Sequence, residues 1–183
     1  MNTKTGTGFF SRKVLHVAMM GLTALGVGFS TIPFIRAWFP SAATKAAQAP
    51  IRVDISRLQP GEMMTVAWQN KPVWILRRTP EMIAQLQAIN LQLKDPASHE
   101  STQPIGLDNV FRSIHPEYFV VLGRCTHMGC IPLLKNKEFV CPCHGSHFDL
   151  AGHVVKNVPA SKNLEIPPHH FVDGNKTLII GKA

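Results

Sequence analysis

The sequence predicts a mainly β domain with antiparallel sheets, carried on a single N-terminal transmembrane helix. Three observations lead to this fold class: an uncharged apolar run over residues 14–35, a series of short apolar or alternating runs after residue 50, and one helical pattern among them. A chain of 183 residues accommodates one such domain with an anchor, and it leaves no room for a second enzyme domain.

Residues 14–35 are predicted to cross a membrane as a helix, because they carry no formal charge. A helix of this length spans about 33 Å, against about 30 Å for the hydrocarbon core of a bilayer. A buried core helix should show a polar face, and a signal peptide has a shorter apolar core. The alanine pairs at residues 42–43 and 46–47 are compatible with cleavage as a signal peptide. A retained anchor is the expected outcome.

The flanks of the apolar run do not orient it by charge, since three basic residues precede it and three follow it (Lys4, Arg12, Lys13; Arg36, Lys45, Arg52). Residues 11–15, SRKVL, are similar to a twin-arginine export signal with Lys13 in place of the second arginine. This similarity predicts a cytoplasmic N-terminus over residues 1–13 and an exported domain. An ordinary basic flank is the alternative.

Residues 36–50 are predicted to form a flexible tether between the anchor and the domain. The segment from Pro40 to Pro50 is rich in alanine and shows no apolar periodicity that would pack against a core. Its composition permits a coil or a transient alanine-rich helix.

Residues 51–183 are predicted to form the β domain. Candidate strands cover residues 51–55, 63–68, 73–76, 118–122, 139–140 and 178–180, and turns at residues 69–72 and 173–176 indicate hairpins. Thr79 and Pro80 fit the cap and first position of the one helix, which should end before Asp95. Trp68 and Trp74 lie in strand-like runs, which favours core positions.

Most of the net charge of +8 comes from the N-terminal segment, since the first 50 residues contain five basic residues and no acidic one. Nucleic-acid binding requires basic residues clustered with exposed aromatic side chains. The later residues offer only the short pair Arg77-Arg78. The sequence therefore excludes nucleic acid as a partner.

Two short boxes contain all four cysteines: CTHMGC at residues 125–130 and, ten residues later, CPCHGSHFD at residues 141–149. A Cys-x-His pair in one loop and a Cys-x-x-His pair in another supply two thiolates and two imidazoles, leaving a spare cysteine in each loop. In an oxidising compartment, two spare cysteines in facing loops tend to form a disulfide. A structural zinc site with two or four cysteine ligands is the alternative.

The two boxes resemble the signature of Rieske iron–sulfur proteins. The anchor, the tether and GEMMTVAWQNKPVWILRRTPEM at residues 61–82 are similar to the Rieske subunit of bacterial cytochrome bc complexes, so the resemblance covers nearly the whole chain. It implies an antiparallel β base fold whose cluster-binding loops, at about residues 123–150, form a small subdomain at one tip.

The resemblance implies a 2Fe-2S cluster with mixed ligands. Cys125 and Cys141 would bind its buried iron, and His127 and His144 its outer iron. Neutral imidazoles in place of two thiolates make such a cluster less negative and raise its reduction potential. Each histidine keeps a second ring N–H, so electron uptake can be coupled to proton uptake.

The same resemblance implies roles for further residues in and near the boxes. Cys130 and Cys143 would form the disulfide, and Ser146 would donate its hydroxyl to a cluster sulfur. Phe148 departs from the pattern, because many respiratory relatives have a tyrosine there whose hydroxyl bonds a ligand cysteine. Residues 157–161 stand where the family has a proline-rich loop that covers the cluster.

The function implied is that of the iron–sulfur subunit of a quinol–cytochrome c reductase. Ubiquinol would hydrogen-bond His144, the catalytic residue, and the electron would pass to a c-type cytochrome as the head moves on its tether. The resemblance also implies cytochrome b as a partner, a dimeric complex and proton translocation. It places the chain in a bacterial inner membrane, with the domain in the periplasm. There are three alternatives: a Rieske ferredoxin, the Rieske part of a ring-hydroxylating oxygenase, or the small subunit of an exported molybdenum oxidase.

The other histidines near or after the boxes match no ligand position. His147 and His153 are expected at the surface or in support of the ligands. His169 and His170 are adjacent in an extended segment and would point to opposite faces, so solvated side chains are expected.

Overall fold

The computed structural model describes residues 12–88 and 92–182, so most of the predicted cytoplasmic segment at residues 1–13 lies outside the described residues. The chain divides into two compact units, Met1–Lys45 and Ala46–Ala183. Helix α1 (Arg12–Ala37) covers the predicted span with two more residues at each end.

Helix α1 has the character of a membrane anchor. Among the described residues, the N-terminal helical segment is the one candidate that is long and apolar enough to cross a membrane, and no residue of α1 is buried. Its hydroxyl groups are satisfied within the helix: Thr23 Oγ1 donates to the carbonyl of Met19, and Ser30 Oγ to that of Gly26, both at 2.8 Å. These two hydroxyl groups are therefore not left unpaired in lipid.

A short helix, α2 (Ala42–Ala47), forms within the predicted tether. Its start is capped by Ser41, whose Oγ accepts from the backbone N–H of Thr44 at 3.1 Å. A helix of six residues is too short to be stable by itself in water. It is the alanine-rich helix that the composition permits, and the flexibility of residues 36–50 remains a prediction.

The domain is built from three antiparallel sheets of three strands each, within the described residues. Their orders are β1-β9-β8, β2-β3-β4 and β5-β6-β7. The strands are β1 (Ile51–Asp54), β2 (Met63–Trp68), β3 (Lys71–Arg77), β4 (Tyr118–Leu122), β5 (Leu133–Lys135), β6 (Glu138–Val140), β7 (His147–Phe148), β8 (His169–Val172) and β9 (Thr177–Ile180). The predicted antiparallel β class is confirmed.

The turns and the helix follow the local signals in the sequence. Gln69 and Asn70 close the β2–β3 hairpin with φ angles of +50° and +61°, as a two-residue hairpin turn requires. Helix α3 (Pro80–Gln87) begins after Thr79, whose Oγ1 accepts from the N–H of Met82 at 3.3 Å. Its predicted cap and first residue are confirmed.

Strands β3 and β4 lie between two hydrophobic cores, because successive side chains point to opposite faces. One face of these two strands joins the core that includes buried residues of the two cysteine boxes (Trp74, Leu76, Phe119, Val121). The other face packs toward the β1-β9-β8 sheet (Val73, Ile75, Val120, Leu122). This double burial explains why the two strands are continuous apolar runs. Trp68 and Trp74 are both buried, as predicted.

Two buried arginines join the segment after the second box to the rest of the domain. Arg78 donates to the carbonyls of Leu150, Phe111 and Pro116, each at 2.9 Å. Arg112 donates to the carbonyls of Ala151, Gly152 and Leu164 at 3.1, 3.2 and 2.9 Å. Burial lowers the pKa of Arg78 to about 9 and that of Arg112 to about 10, so both stay charged at neutral pH. These bonds fix the backbone of residues 150–152.

Candidate metal centre

The two boxes fold into loops with the same hydrogen-bond pattern. The N–H of Cys125 donates to the carbonyl of Cys130 at 2.7 Å, and the N–H of Cys141 donates to that of Ser146 at 2.8 Å. In each loop, a glycine N–H donates back to the carbonyl of the first cysteine: Gly129 at 2.9 Å and Gly145 at 3.0 Å. Both glycines have positive φ, +81° and +69°, a conformation that favours glycine. The glycine in each box is therefore a requirement of the loop.

The loops bring together the four side chains expected to be ligands. Cys125 and Cys141 are free thiols buried at the base of the loops. His127 and His144 are exposed, with ring centroids 4.9 Å apart and nearly perpendicular planes. The arrangement offers two inner sulfurs and two outer imidazole nitrogens, which is the donor set expected from the sequence.

A disulfide between Cys130 and Cys143 joins the two loops, the pairing that the resemblance implies. The Sγ atoms of Cys130, Cys141 and Cys143 all lie within 4.8 Å of one another. Two of these sulfurs are consumed by the disulfide, so the group is not a separate thiolate site for a metal. The disulfide instead packs directly against the free thiol of Cys141.

The segment after residue 156 closes over the loops through two contacts. The Oγ of Ser146, which is fully buried, accepts from the N–H of Ala160 at 3.0 Å. The Oγ1 of Thr126 donates to the carbonyl of Lys162 at 2.6 Å. Accepting from Ala160 leaves the hydroxyl hydrogen of Ser146 for a sulfur atom, and Ser146 is indeed hydrogen-bonded to Cys125. Nothing in the sequence pattern points to the role of Thr126.

Comparison with known proteins identifies the family. Residues 95–168 match the model of the Rieske [2Fe-2S] domain. The chain is 43% identical to the ubiquinol-cytochrome c reductase iron-sulfur subunit of Allochromatium vinosum, over 97% of this chain and 91% of that one. The chain belongs to the Rieske iron–sulfur family. The corresponding subunit of Bradyrhizobium diazoefficiens is 39% identical, with 92% and 93% of the two chains covered. A solved structure titled hyperthermophilic respiratory Complex III matches with a TM-score of 0.48 at 26% identity, covering 88% of this chain and 98% of that one.

The cofactor of this Rieske chain is a [2Fe-2S] cluster. The alternative of a structural zinc site is therefore wrong. The residues present fit that group, because soft thiolate sulfur and imidazole nitrogen are donors that iron–sulfur clusters accept. Burial raises the pKa of the Cys125 thiol, and its contact with Cys141 acts in the same direction. A metal binds the thiolate form of cysteine, so cluster binding at these two cysteines would release their thiol protons.

Phe148 lies in the core beside the boxes with no exposed surface. We expect Phe148→Tyr to raise the reduction potential by about 20 to 60 mV, because a hydroxyl donated to a ligand sulfur stabilises the more negative, reduced state by about 0.5 to 1.5 kcal/mol. Redox titration of the full chain in membranes, followed by electron paramagnetic resonance, measures the shift. Phe171→Tyr, the same change on β8, is the control and should leave the potential unchanged. A loaded Phe148→Tyr variant with an unshifted or lower potential would refute the expectation.

One of the remaining histidines, His169, is more buried than predicted. His153 is buried, with Nδ1 2.9 Å from the carboxylate of Asp149. His169 was expected in solvent, and this is wrong: it is buried at the start of β8, where Nδ1 donates to the carbonyl of Pro167 at 2.8 Å. Burial lowers the pKa of His169, so it stays neutral at neutral pH. His147 is half-exposed and lies 3.2 Å from Glu138.

Proposed function

We propose that this chain is the iron–sulfur subunit of a ubiquinol–cytochrome c reductase and carries electrons from ubiquinol to a c-type cytochrome. The observation that carries this proposal is the pair of exposed imidazoles above two buried thiols, in a chain whose relatives are named as iron–sulfur subunits of that complex. Cytochrome b, ubiquinol and a c-type cytochrome are then its partners, within a dimeric complex.

Four residues would hold the cluster. Cys125 and Cys141 would bind the buried iron, and His127 and His144 the outer iron. When bound, the cluster supplies one-electron chemistry, with a potential raised by its two neutral ligands. The protein supplies the rigid loops, the disulfide between them and the Ser146 hydroxyl, which together hold the four ligands in place.

His144 would be the catalytic residue, because it is exposed and its second ring nitrogen remains available to a substrate. Once it has lost its own proton, that nitrogen could accept the hydroxyl proton of a bound quinol, which would position the quinol and take up its proton. Exposed apolar side chains around the tip would fit an apolar quinol pocket (Met128, Ile131, Leu133). His127 would hold iron and face the other partner.

The membrane arrangement follows from the N-terminal segment. Residues 1–13 would remain in the cytoplasm, α1 would cross the bacterial inner membrane once, and the domain from residue 51 would lie in the periplasm. The tether over residues 36–50 would allow the head to reach first the quinol site and then the cytochrome. The twin-arginine-like signal supports this orientation, because such signals export proteins that have already folded around a cofactor.

A histidine replacement in the assembled complex tests the proposal. His144→Gln should lower ubiquinol-driven reduction of the c-type cytochrome in membranes at least about 100-fold, because one catalytic proton acceptor contributes about 10²–10⁴ in rate. The control is His147→Gln, which changes a half-exposed histidine three residues away that matches no ligand position. It should retain the wild-type rate. Equal rates in wild type and His144→Gln, or equal loss in both variants, would overturn the assignment.

A further inference from the structure

A shallow depression opens beside His127, on the flank of the first box. Its volume is about 390 Å³, and three cations line it together with one carboxylate (Lys71, Arg124, Lys162; Glu165). His127 and Met128 lie on its edge. We call these four charged residues the basic depression.

Three segments of the chain converge at the basic depression and are joined by hydrogen bonds. The N–H of Gly123 donates to the carbonyl of Pro72 at 2.8 Å, and the N–H of Leu122 donates to that of Glu165 at 2.9 Å. The Thr126 hydroxyl bond to the carbonyl of Lys162, at 2.6 Å, completes the set. The charged side chains therefore extend from a fixed backbone and not from separate mobile loops.

The cations of the basic depression have no ionic partner among the described residues. The salt bridges of the domain involve Arg52, Arg77, His147 and His153, and none involves Lys71, Arg124 or Lys162. The side chain of Arg124 approaches the backbone of the first box. Its guanidinium lies against Gly129, where a Cβ atom would come within 2.7 Å of Nη2. With one carboxylate against three cations, the depression has a net charge of +2 at neutral pH.

We propose that the basic depression docks an acidic surface patch of the c-type cytochrome that receives the electron, an inference that rests on the proposed function. Unpaired cations at a rim favour a partner of opposite charge, because complementary potentials speed encounter and fix the orientation of docking. An apolar quinol pocket would not accept them, since burying three cations without partners is costly. The depression adjoins His127, so docking there places the acceptor next to an outer-iron ligand.

Charge removal in the assembled complex tests the docking surface. The first variant is Arg124→Gln/Lys162→Gln. The second variant, Lys71→Gln/Lys162→Gln, keeps Arg124, which is adjacent to Cys125 in the sequence. Arg57→Gln/Lys176→Gln removes two exposed cations outside the depression and serves as the control. After a pulse of ubiquinol to membranes, absorbance follows cytochrome reduction and rapid-freeze electron paramagnetic resonance follows cluster reduction.

We expect cytochrome reduction at low salt to slow about 3- to 10-fold in both depression variants, because each exposed ion pair contributes a factor of about 1.4 to 5. The wild-type advantage should shrink as salt is added. In the two depression variants, reduction of the cluster by ubiquinol should keep the wild-type rate. In the control variant, both rates should match wild type.

Two results would overturn the docking surface. Cytochrome reduction at the control rate in both depression variants would show that the cations do not contact the acceptor. The second result is slower reduction of the cluster by ubiquinol, combined with a wild-type rate for the later step from cluster to cytochrome. It would assign the depression to the quinol site. Failure of the proposed function itself looks different, because the wild-type cluster would then not be reduced by ubiquinol at all.

Discussion

Replacing Cys130 and Cys143 together by alanine should lower the free energy of unfolding by about 3 kcal/mol in the chain-entropy model of a disulfide that closes a loop of this length. The two cysteines are 13 positions apart, and their bridge is a covalent link between the loops of the two boxes. For a domain of this size, the thermal midpoint should fall by about 10 °C. Loss of the cluster's visible absorbance on heating measures the midpoint, and it should accompany unfolding because the disulfide packs against Cys141.

A reductant provides the control for the disulfide. A phosphine reductant should bring wild type to the midpoint of the double alanine variant and should leave that variant unchanged. A double variant as stable as wild type, with its cluster intact, would show that hydrogen bonds alone hold the two loops together.

Arg112→Met should destabilise the domain by about 3 kcal/mol. The change keeps the length of the side chain but leaves the carbonyls of Ala151 and Leu164 without a donor. The carbonyl of Gly152 loses its Arg112 bond but keeps the N–H of Leu164 at 2.8 Å. Each buried acceptor left without a partner costs about 1 to 3 kcal/mol, and relaxation recovers part of the sum. Urea unfolding of residues 46–183, which form a compact unit, measures the loss through tryptophan fluorescence.

Arg52→Met is the matched control for this change. Arg52 is an exposed partner of Asp173, with 67% of its side chain accessible, so its loss should cost less than about 0.5 kcal/mol. Equal stability of the two variants would mean that the Arg112 bonds do not stabilise the segment after the second box.

The elements that could be predicted from the sequence are those with strong apolar patterns. The predicted strands over residues 63–68 and 118–122 have the bounds of β2 and β4, because β2 pairs across a tight turn and β4 is buried on both faces. Strands β5 and β7 were missed because they have three and two residues, too few to show a period. Strand β8 was missed because it begins with two histidines.

The positions of isolated polar residues could not be predicted, because burial of a single side chain depends on contacts distant in the sequence. Arg78 belongs to the one adjacent basic pair after residue 50, and its side chain is buried while that of Arg77 pairs with Glu117 near the surface. His169 is buried for the same kind of reason, since pairing of β8 with β9 turns its ring toward the core. The disulfide between the two boxes could be predicted from the resemblance, and the ligand roles of Cys125, His127, Cys141 and His144 stay a prediction.

Electron paramagnetic resonance of ascorbate-reduced membranes that contain the full chain tests the central claim, a cluster held by two cysteines and two histidines. The account predicts a rhombic spectrum with hyperfine coupling to two nitrogens, and loss of one nitrogen coupling in His144→Cys. A wild-type signal that appears only with dithionite and shows no nitrogen coupling would contradict the mixed ligand set. Silence under both reductants, with zinc in the metal analysis, would contradict the cluster itself.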